Sequence, residues 1–165
     1  MDQLLMKKVE ITTSISVYDS IDELPKEVFT LMNKAIEAKK KAYAPYSKFS
    51  VGAAFYLESG EIITGNNQEN AAYPSGMCAE RVAIWKVSSE YPEAKIKILA
   101  ITASSSSQVL KEPVAPCGAC RQTLSEYELK QNSNVEVYFM GEEGKVIKTN
   151  SISDLLPIAF DKSFL

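Results

Sequence analysis

The stretch Ile96-Lys97-Ile98-Leu99-Ala100-Ile101-Thr102-Ala103 decides the architecture. Ile96, Ile98, Leu99, Ile101 and Thr102 form a nearly continuous β-prone run, which predicts a buried strand. Working outward, one helix is predicted to begin near Cys78, with Val82, Trp85 and Val87 as core positions, and another near Cys117. Between strand and third helix, residues 104–108 read as polar linker. Further upstream, residues 50–57 and 61–64 are joined by the turn residues Glu58-Ser59-Gly60 and predict a β-hairpin. Downstream, residues 135–140 predict a strand that Gly141-Glu142-Glu143-Gly144 turns into residues 145–148, and Leu155-Leu156-Pro157 closes a short helical turn. Near the start, Asp22-Glu23 and Pro25 mark a helix that Val28, Met32, Ala35 and Ile36 continue to about Ala42. Lys39-Lys40-Lys41 then reads as a solvated helix end that complements the dipole. Residues 7–18 alternate, with Val9, Ile11, Thr13, Ile15 and Val17 on one parity, and predict a half-buried strand at a sheet edge or a subunit surface. Strands alternating with helices make an α/β layered domain with a mixed sheet.

The 165 residues suit one domain, with enough length to bury about 70% of the unfolded surface without a disulfide or a metal. With 18 Lys+Arg against 21 Asp+Glu, the charge balance argues against nucleic acid or an anionic membrane as partner. There is no histidine, so a single chain cannot build a mechanism on an imidazole base, and any metal site must use thiolates and oxygens. Three cysteines are too few for a disulfide scaffold. Residues 1–8 lack an apolar core of signal-peptide length and no apolar run could span a membrane, so a cytoplasmic, reduced setting is expected.

All three cysteines fall at predicted helix starts: Cys78 in Met77-Cys78-Ala79-Glu80-Arg81, and Cys117 and Cys120 in Pro116-Cys117-Gly118-Ala119-Cys120-Arg121. A helix N-terminus favours negative charge and stabilises thiolates. Three thiolates can hold a tetrahedral Zn²⁺ with its fourth position open, as catalysis requires. Glu80 follows Cys78 by two residues, and positions i and i+2 of a regular helix do not face each other. Both serve one centre only if Cys78 sits at the non-helical entry and Glu80 in the first turn, where a carboxylate can take a proton from an activated water. Taken singly, each feature has a plainer reading: C-x-x-C as a redox pair or half a structural site, Cys78 as a small core residue, Glu80 and Arg81 as an exposed helix start, and Asn67, Glu69 and Asn70 as turn chemistry. Joining Cys-Ala-Glu to a later Pro-Cys-x-x-Cys matches the two halves of a zinc deaminase signature.

Five motifs in order carry a wider resemblance. They are Tyr43-Ala44-Pro45-Tyr46-Ser47-Lys48-Phe49-Ser50-Val51-Gly52-Ala53-Ala54, Asn67-Gln68-Glu69-Asn70-Ala71-Ala72-Tyr73-Pro74, Cys78-Ala79-Glu80-Arg81, Pro116-Cys117-Gly118-Ala119-Cys120-Arg121-Gln122, and Leu155-Leu156-Pro157 with Phe160. The chain resembles the small, homotetrameric, all-cysteine zinc type of cytidine deaminase from about Tyr43 to its C-terminus. That resemblance implies a three-layer α/β/α fold with a mixed sheet of about five strands. Residues 23–165 would form the deaminase domain, and residues 1–22 an N-terminal extension outside the minimal family domain. It further implies one Zn²⁺ per chain on Cys78, Cys117 and Cys120, Glu80 as the proton shuttle, and Arg81 offsetting the thiolate charge. Asn67 and Glu69 would bind the ribose hydroxyls beside Asn70, Phe49 would pack near sugar and base, and the Ala79 backbone would read the pyrimidine edge. Tyr73 and Phe160 would be supplied across subunit interfaces, Phe160 stacking on the base of a neighbour's substrate. Gln68 departs from the family, standing where many members carry an aliphatic residue. The expected function is hydrolytic deamination of cytidine and deoxycytidine in pyrimidine salvage. Its rivals are a deaminase of another aminopyrimidine and a non-catalytic zinc or redox module.

Overall fold

A computed structural model describes residues 6–165; Met1 to Leu5, part of the start read above as lacking a signal-peptide core, lie outside the described residues. Six strands form one sheet: β1 (Ser16–Tyr18), β2 (Phe49–Leu57), β3 (Ile62–Asn66), β4 (Ile96–Ser105), β5 (Glu136–Met140) and β6 (Val146–Thr149). Their order is β1-β6-β5-β4-β2-β3, with β4 and β5 parallel and every other pair antiparallel. Three helices cover it: α1 (Lys26–Lys39), α2 (Ala79–Glu90) and α3 (Gly118–Gln131). The sheet therefore has six strands where about five were expected, and the sixth is β1.

Alternation along β4 sorts the core into two layers. Leu99 and Ile101 join Ala53, Phe55, Val137 and Phe139 against Ala83, Ile84 and Val87 of α2 and Leu124 of α3. Ile98 and Ala100 join Ala54, Tyr138 and Met140 against Val28, Leu31, Met32 and Ala35 of α1. Helices thus lie on both faces, the three-layer arrangement expected. Gly52 lets α1 settle directly on β2: a Cβ there would lie 2.0 Å from the Ala35 carbonyl oxygen.

Several local expectations are corrected. The alternating N-terminal segment is a strand only over Ser16–Tyr18, where it pairs with β6, itself only Val146–Thr149 long. Val9, Ile11 and Ile15 are exposed, and so is Val17 within β1, so the segment is not half-buried. Helix α1 ends at Lys39 rather than Ala42, and Lys39 is buried, not solvated, with its Nζ 3.4 Å from Thr102 Oγ1. Trp85 is no core residue: α2 buries Ala79, Glu80, Ala83, Ile84 and Val87, and the helical period leaves Trp85 44% exposed and Val82 half-buried. Ser104 and Ser105 extend β4 instead of opening the linker, and the late helical turn falls at Ile152–Asp154, just before Leu155.

Strand direction positions the site. Both β3 and β4 run antiparallel to β2, so they point the same way. Helix α2 follows β3 and α3 follows β4, so both helices begin beyond the same edge of the sheet and return across the same face. Two positive helix ends meet there.

Candidate active site

Each helix start is built as its chemistry requires. Cys78 is the N-cap of α2 and Cys117 that of α3, both with extended backbone (ψ 151° and 164°), and neither thiol caps its own helix. Cys78 thus sits at the non-helical entry and Glu80 in the first turn, so the two reach one centre despite their i, i+2 spacing. Gly65 of β3 fits against this turn so closely that a Cβ would lie 2.6 Å from both the Ala79 carbonyl oxygen and the Ala83 nitrogen. The hairpin therefore seats the helix that carries Glu80.

The sulfurs of Cys78, Cys117 and Cys120 lie within 4.8 Å of one another, and all three cysteines are free. Zinc–sulfur bonds of about 2.3 Å place two ligands of a tetrahedron roughly 3.8 Å apart. The Cys78–Cys117 sulfur separation is 3.9 Å, so this donor set fits zinc. Arg81 donates from Nη2 to the Cys78 sulfur at 3.4 Å, while its Nε is buried with no hydrogen-bond partner. Hydrogen bonding from Cys120, then from Arg81, holds the Cys78 thiol down to about 5. The Cys120 thiol is pushed up by that same bond to Cys78 and by burial. Glu80 is 4% exposed, and burial raises its carboxyl above the ordinary carboxylate range, although its own backbone N–H and the Cys120 thiol pull the other way.

A cleft of about 590 Å³ opens onto this corner, a size suited to a small-molecule ligand. Phe49, Asn67, Glu69, Tyr73, Cys78, Glu80, Arg81 and Cys117 line it. Cys120 lies buried beneath, in the sulfur cluster, and Ala79 is buried in the first turn of α2. The Asn67 carboxamide is tied to β2, accepting from Val51 N at 2.7 Å and donating to the Phe49 carbonyl at 2.9 Å. That leaves one Nδ2 hydrogen for a ligand. Glu69 accepts from the backbone of Tyr46 at 2.9 Å and of Ser47 at 3.2 Å, and from the Ser47 hydroxyl; that hydroxyl bond is the main reason its carboxyl titrates low. Asn70 lines an adjoining hollow with Tyr46 and Tyr73, and its Oδ1 accepts from Ala72 N at 2.8 Å. Phe160 is not brought to the cleft of its own chain: it is 59% exposed and stacks on Phe164 at 5.6 Å.

Two site features escaped the sequence reading. Ser47 has no role of its own in the motif, yet its hydroxyl aims Glu69 while accepting from Phe49 N at 3.0 Å. Ile101, Val114 and Ala115 supply an apolar wall of the cleft. The run before Pro116-Cys117 was the available signal for the latter two.

Comparison with known proteins agrees with this geometry. The family model for the cytidine and deoxycytidylate deaminase zinc-binding region matches residues 25–135. A cytidine deaminase of Halalkalibacterium halodurans is 41% identical over 130 residues, covering 79% of this chain and 91% of that protein. One from Sporosarcina psychrophila is 40% identical over 139 residues, covering 84% and 95%. The crystal structure of cytidine deaminase from Burkholderia pseudomallei superposes with a TM-score of 0.69 at 38% identity, covering 79% of this chain and 97% of that one. With three thiols set for zinc at paired helix starts and a buried carboxylate beside them, this chain belongs to the cytidine and deoxycytidylate deaminase family.

Proposed function

We infer that this chain catalyses the zinc-dependent hydrolytic deamination of cytidine and deoxycytidine to uridine and deoxyuridine, releasing ammonia. The observation that carries this is the sulfur cluster within 4.8 Å at two helix N-termini, with Glu80 buried beside it and facing the cleft. A purely structural zinc site would give that carboxylate no task.

Cys78, Cys117 and Cys120 would hold one zinc, whose Lewis acidity makes water a nucleophile near neutral pH. Glu80 takes a proton from the attacking water and gives it to N3 as the water oxygen bonds C4. It then moves the proton of the new C4 hydroxyl to the exocyclic nitrogen. The C4–N bond breaks, C4=O forms, and ammonia leaves. The raised carboxyl of Glu80 suits both halves of that transfer. Arg81 compensates the thiolate charge, which three sulfurs would otherwise leave in excess over one Zn²⁺. Glu69, held by Ser47, and the remaining Asn67 hydrogen receive the sugar hydroxyls, with Asn70 shaping the adjoining loop. Phe49 borders the sugar and base, and the Ala79 backbone reads the pyrimidine edge.

The working unit is a homotetramer with shared sites. Exposure of Phe160 and Tyr73, and of Trp85 on α2, supports it: each is a large ring that a neighbouring subunit would cover. Residues 1–22 are an extension appended to a deaminase domain of residues 23–165. This is supported by the family-model match, which opens at residue 25. The expected setting is cytoplasmic pyrimidine salvage, consistent with free thiols and with no helix among the described residues long and apolar enough to cross a membrane.

Zinc-loaded protein supplied with cytidine should release ammonia with loss of the cytidine absorbance, and a chelator should abolish both. No turnover of cytidine or deoxycytidine by protein holding one zinc per chain would overturn this function.

A further inference from the structure

The residue after Cys120 spans two parts of the chain that the proposed chemistry leaves unconnected. Arg121 donates from Nε to the Pro116 carbonyl at 2.8 Å and from Nη1 to the Leu155 carbonyl at 3.0 Å. Pro116 precedes Cys117, and because a peptide unit is planar, the direction of its carbonyl sets the plane from which Cys117 departs. Leu155 caps the turn at Ile152–Asp154, and that turn is held to the core by Glu128 of α3, which accepts from Ile152 N at 2.9 Å and from Ser151 Oγ at 2.5 Å. A guanidinium is a rigid planar fork, so it fixes two carbonyls relative to each other as a flexible ammonium cannot. Gln122 adds a separate mooring, donating from Nε2 to the Phe160 carbonyl at 2.8 Å.

We propose that Arg121 is a positioning residue. By locking the Pro116 peptide to the Leu155 turn, it sets the Cys117 sulfur and couples the hold on zinc to the docking of that turn. This rests on Cys117 being a zinc ligand, but not on any role of Phe160, which Gln122 alone addresses. A residue that merely stapled the surface would leave the metal's dissociation rate untouched.

The test uses the full chain loaded with zinc and follows transfer of the metal to a chromogenic chelator, alongside kcat and KM for cytidine. Arg121→Lys should release zinc about tenfold or more faster, the range found when an outer partner of a ligand is removed, and should lower kcat more than it raises KM. Gln122→Ala should release zinc at the wild-type rate. Wild-type release from folded Arg121→Lys overturns the coupling, whereas wild-type protein that binds no zinc overturns the metal reading beneath it. A measurement on the unaltered chain covers the case in which Arg121→Lys does not fold. Coupling is reciprocal, so zinc must slow hydrogen exchange at the Leu155 and Leu156 amides, which bond to the Ile152 carbonyl at 2.9 and 3.1 Å. Identical exchange at those amides with and without zinc also overturns the proposal.

Discussion

Two buried glutamates lie in the same helical layer and are treated oppositely by their surroundings. Glu128, near the C-terminal end of α3, is 7% exposed and surrounded by donors: Val135 N at 2.8 Å, Ile152 N at 2.9 Å, Ser151 Oγ at 2.5 Å and both the N and Oγ of Ser153 at 3.4 Å. Glu80, at the opposite end of the layer in the first turn of α2, is just as buried but faces thiols and a cleft. Burial without enough donors leaves a carboxyl inclined to keep its proton, which is what a proton carrier needs. Burial with donors on every side turns the same side chain into a brace. The difference teaches that donor supply, not depth, separates the glutamate proposed to carry protons from the one that braces the fold.

The sharpest way to break this contrast is Glu80→Gln, which keeps size and polarity but cannot carry a proton. Turnover should fall by at least about 10²-fold, with zinc content and melting temperature unchanged. Loss of zinc, measured by metal analysis, would make Glu80 a structural group like Glu128. Next in size is Phe160→Ala, expected to raise KM for cytidine about tenfold, in line with a ring stacked on a base. Mixing it with Glu80→Gln chains should recover low-KM turnover after subunit exchange, because some sites then combine an intact Glu80 with a neighbour's Phe160. No recovery after proven exchange would return Phe160 to its own chain.

Glu128→Gln should show the converse of Glu80→Gln. An amide keeps one acceptor oxygen, so either the Val135 and Ile152 N–H groups now on Oε2 or the Ser151 and Ser153 donors now on Oε1 lose theirs, at a cost of about 1–3 kcal/mol, read as a lower denaturation midpoint with kcat altered less than a few-fold. A collapse of kcat in folded, zinc-loaded protein would erase the distinction. The smallest effect concerns the other face of the sheet, where Lys39 is a buried cation with Thr102 Oγ1 at 3.4 Å; that hydroxyl donates to the Gly141 carbonyl at 2.7 Å. Burial lowers its pKa below the ordinary lysine value, with Glu142 opposing and Lys40 adding to the shift. The unfolded chain therefore binds more protons between the lowered value and about 10.4, and stability rises with pH through that window. Lys39→Met should be the more stable protein near neutral pH, with its advantage shrinking as pH approaches 10.4. An advantage that stays constant across denaturation curves in that range would mean Lys39 is not penalised by burial.

What the chain alone determined follows from patterns that local physics reads. The run at 96–103, the hairpin around Gly60 and the placement of cysteines at helix starts were legible because period, turn chemistry and helix-end electrostatics act within a few residues. The proposed zinc donors and Glu80 are readable on those grounds and on the linked motifs. What only the tertiary structure decided depends on partners distant in sequence. Alternation made residues 7–18 strand-like, but only three of them pair with β6. Trp85 matched an apolar expectation, but the face of α2 that meets the sheet was set by Gly65 against Ala79 and Ala83. Lys39 looked like a solvated helix end until α1 settled on Gly52 and buried it. Arg121 carried no sign of bridging Pro116 to Leu155, since the second carbonyl arrives 34 residues later in the chain. Hydrogen-bond partners and buried faces belong to the packed arrangement of elements, and no local pattern encodes which distant backbone group will come within reach.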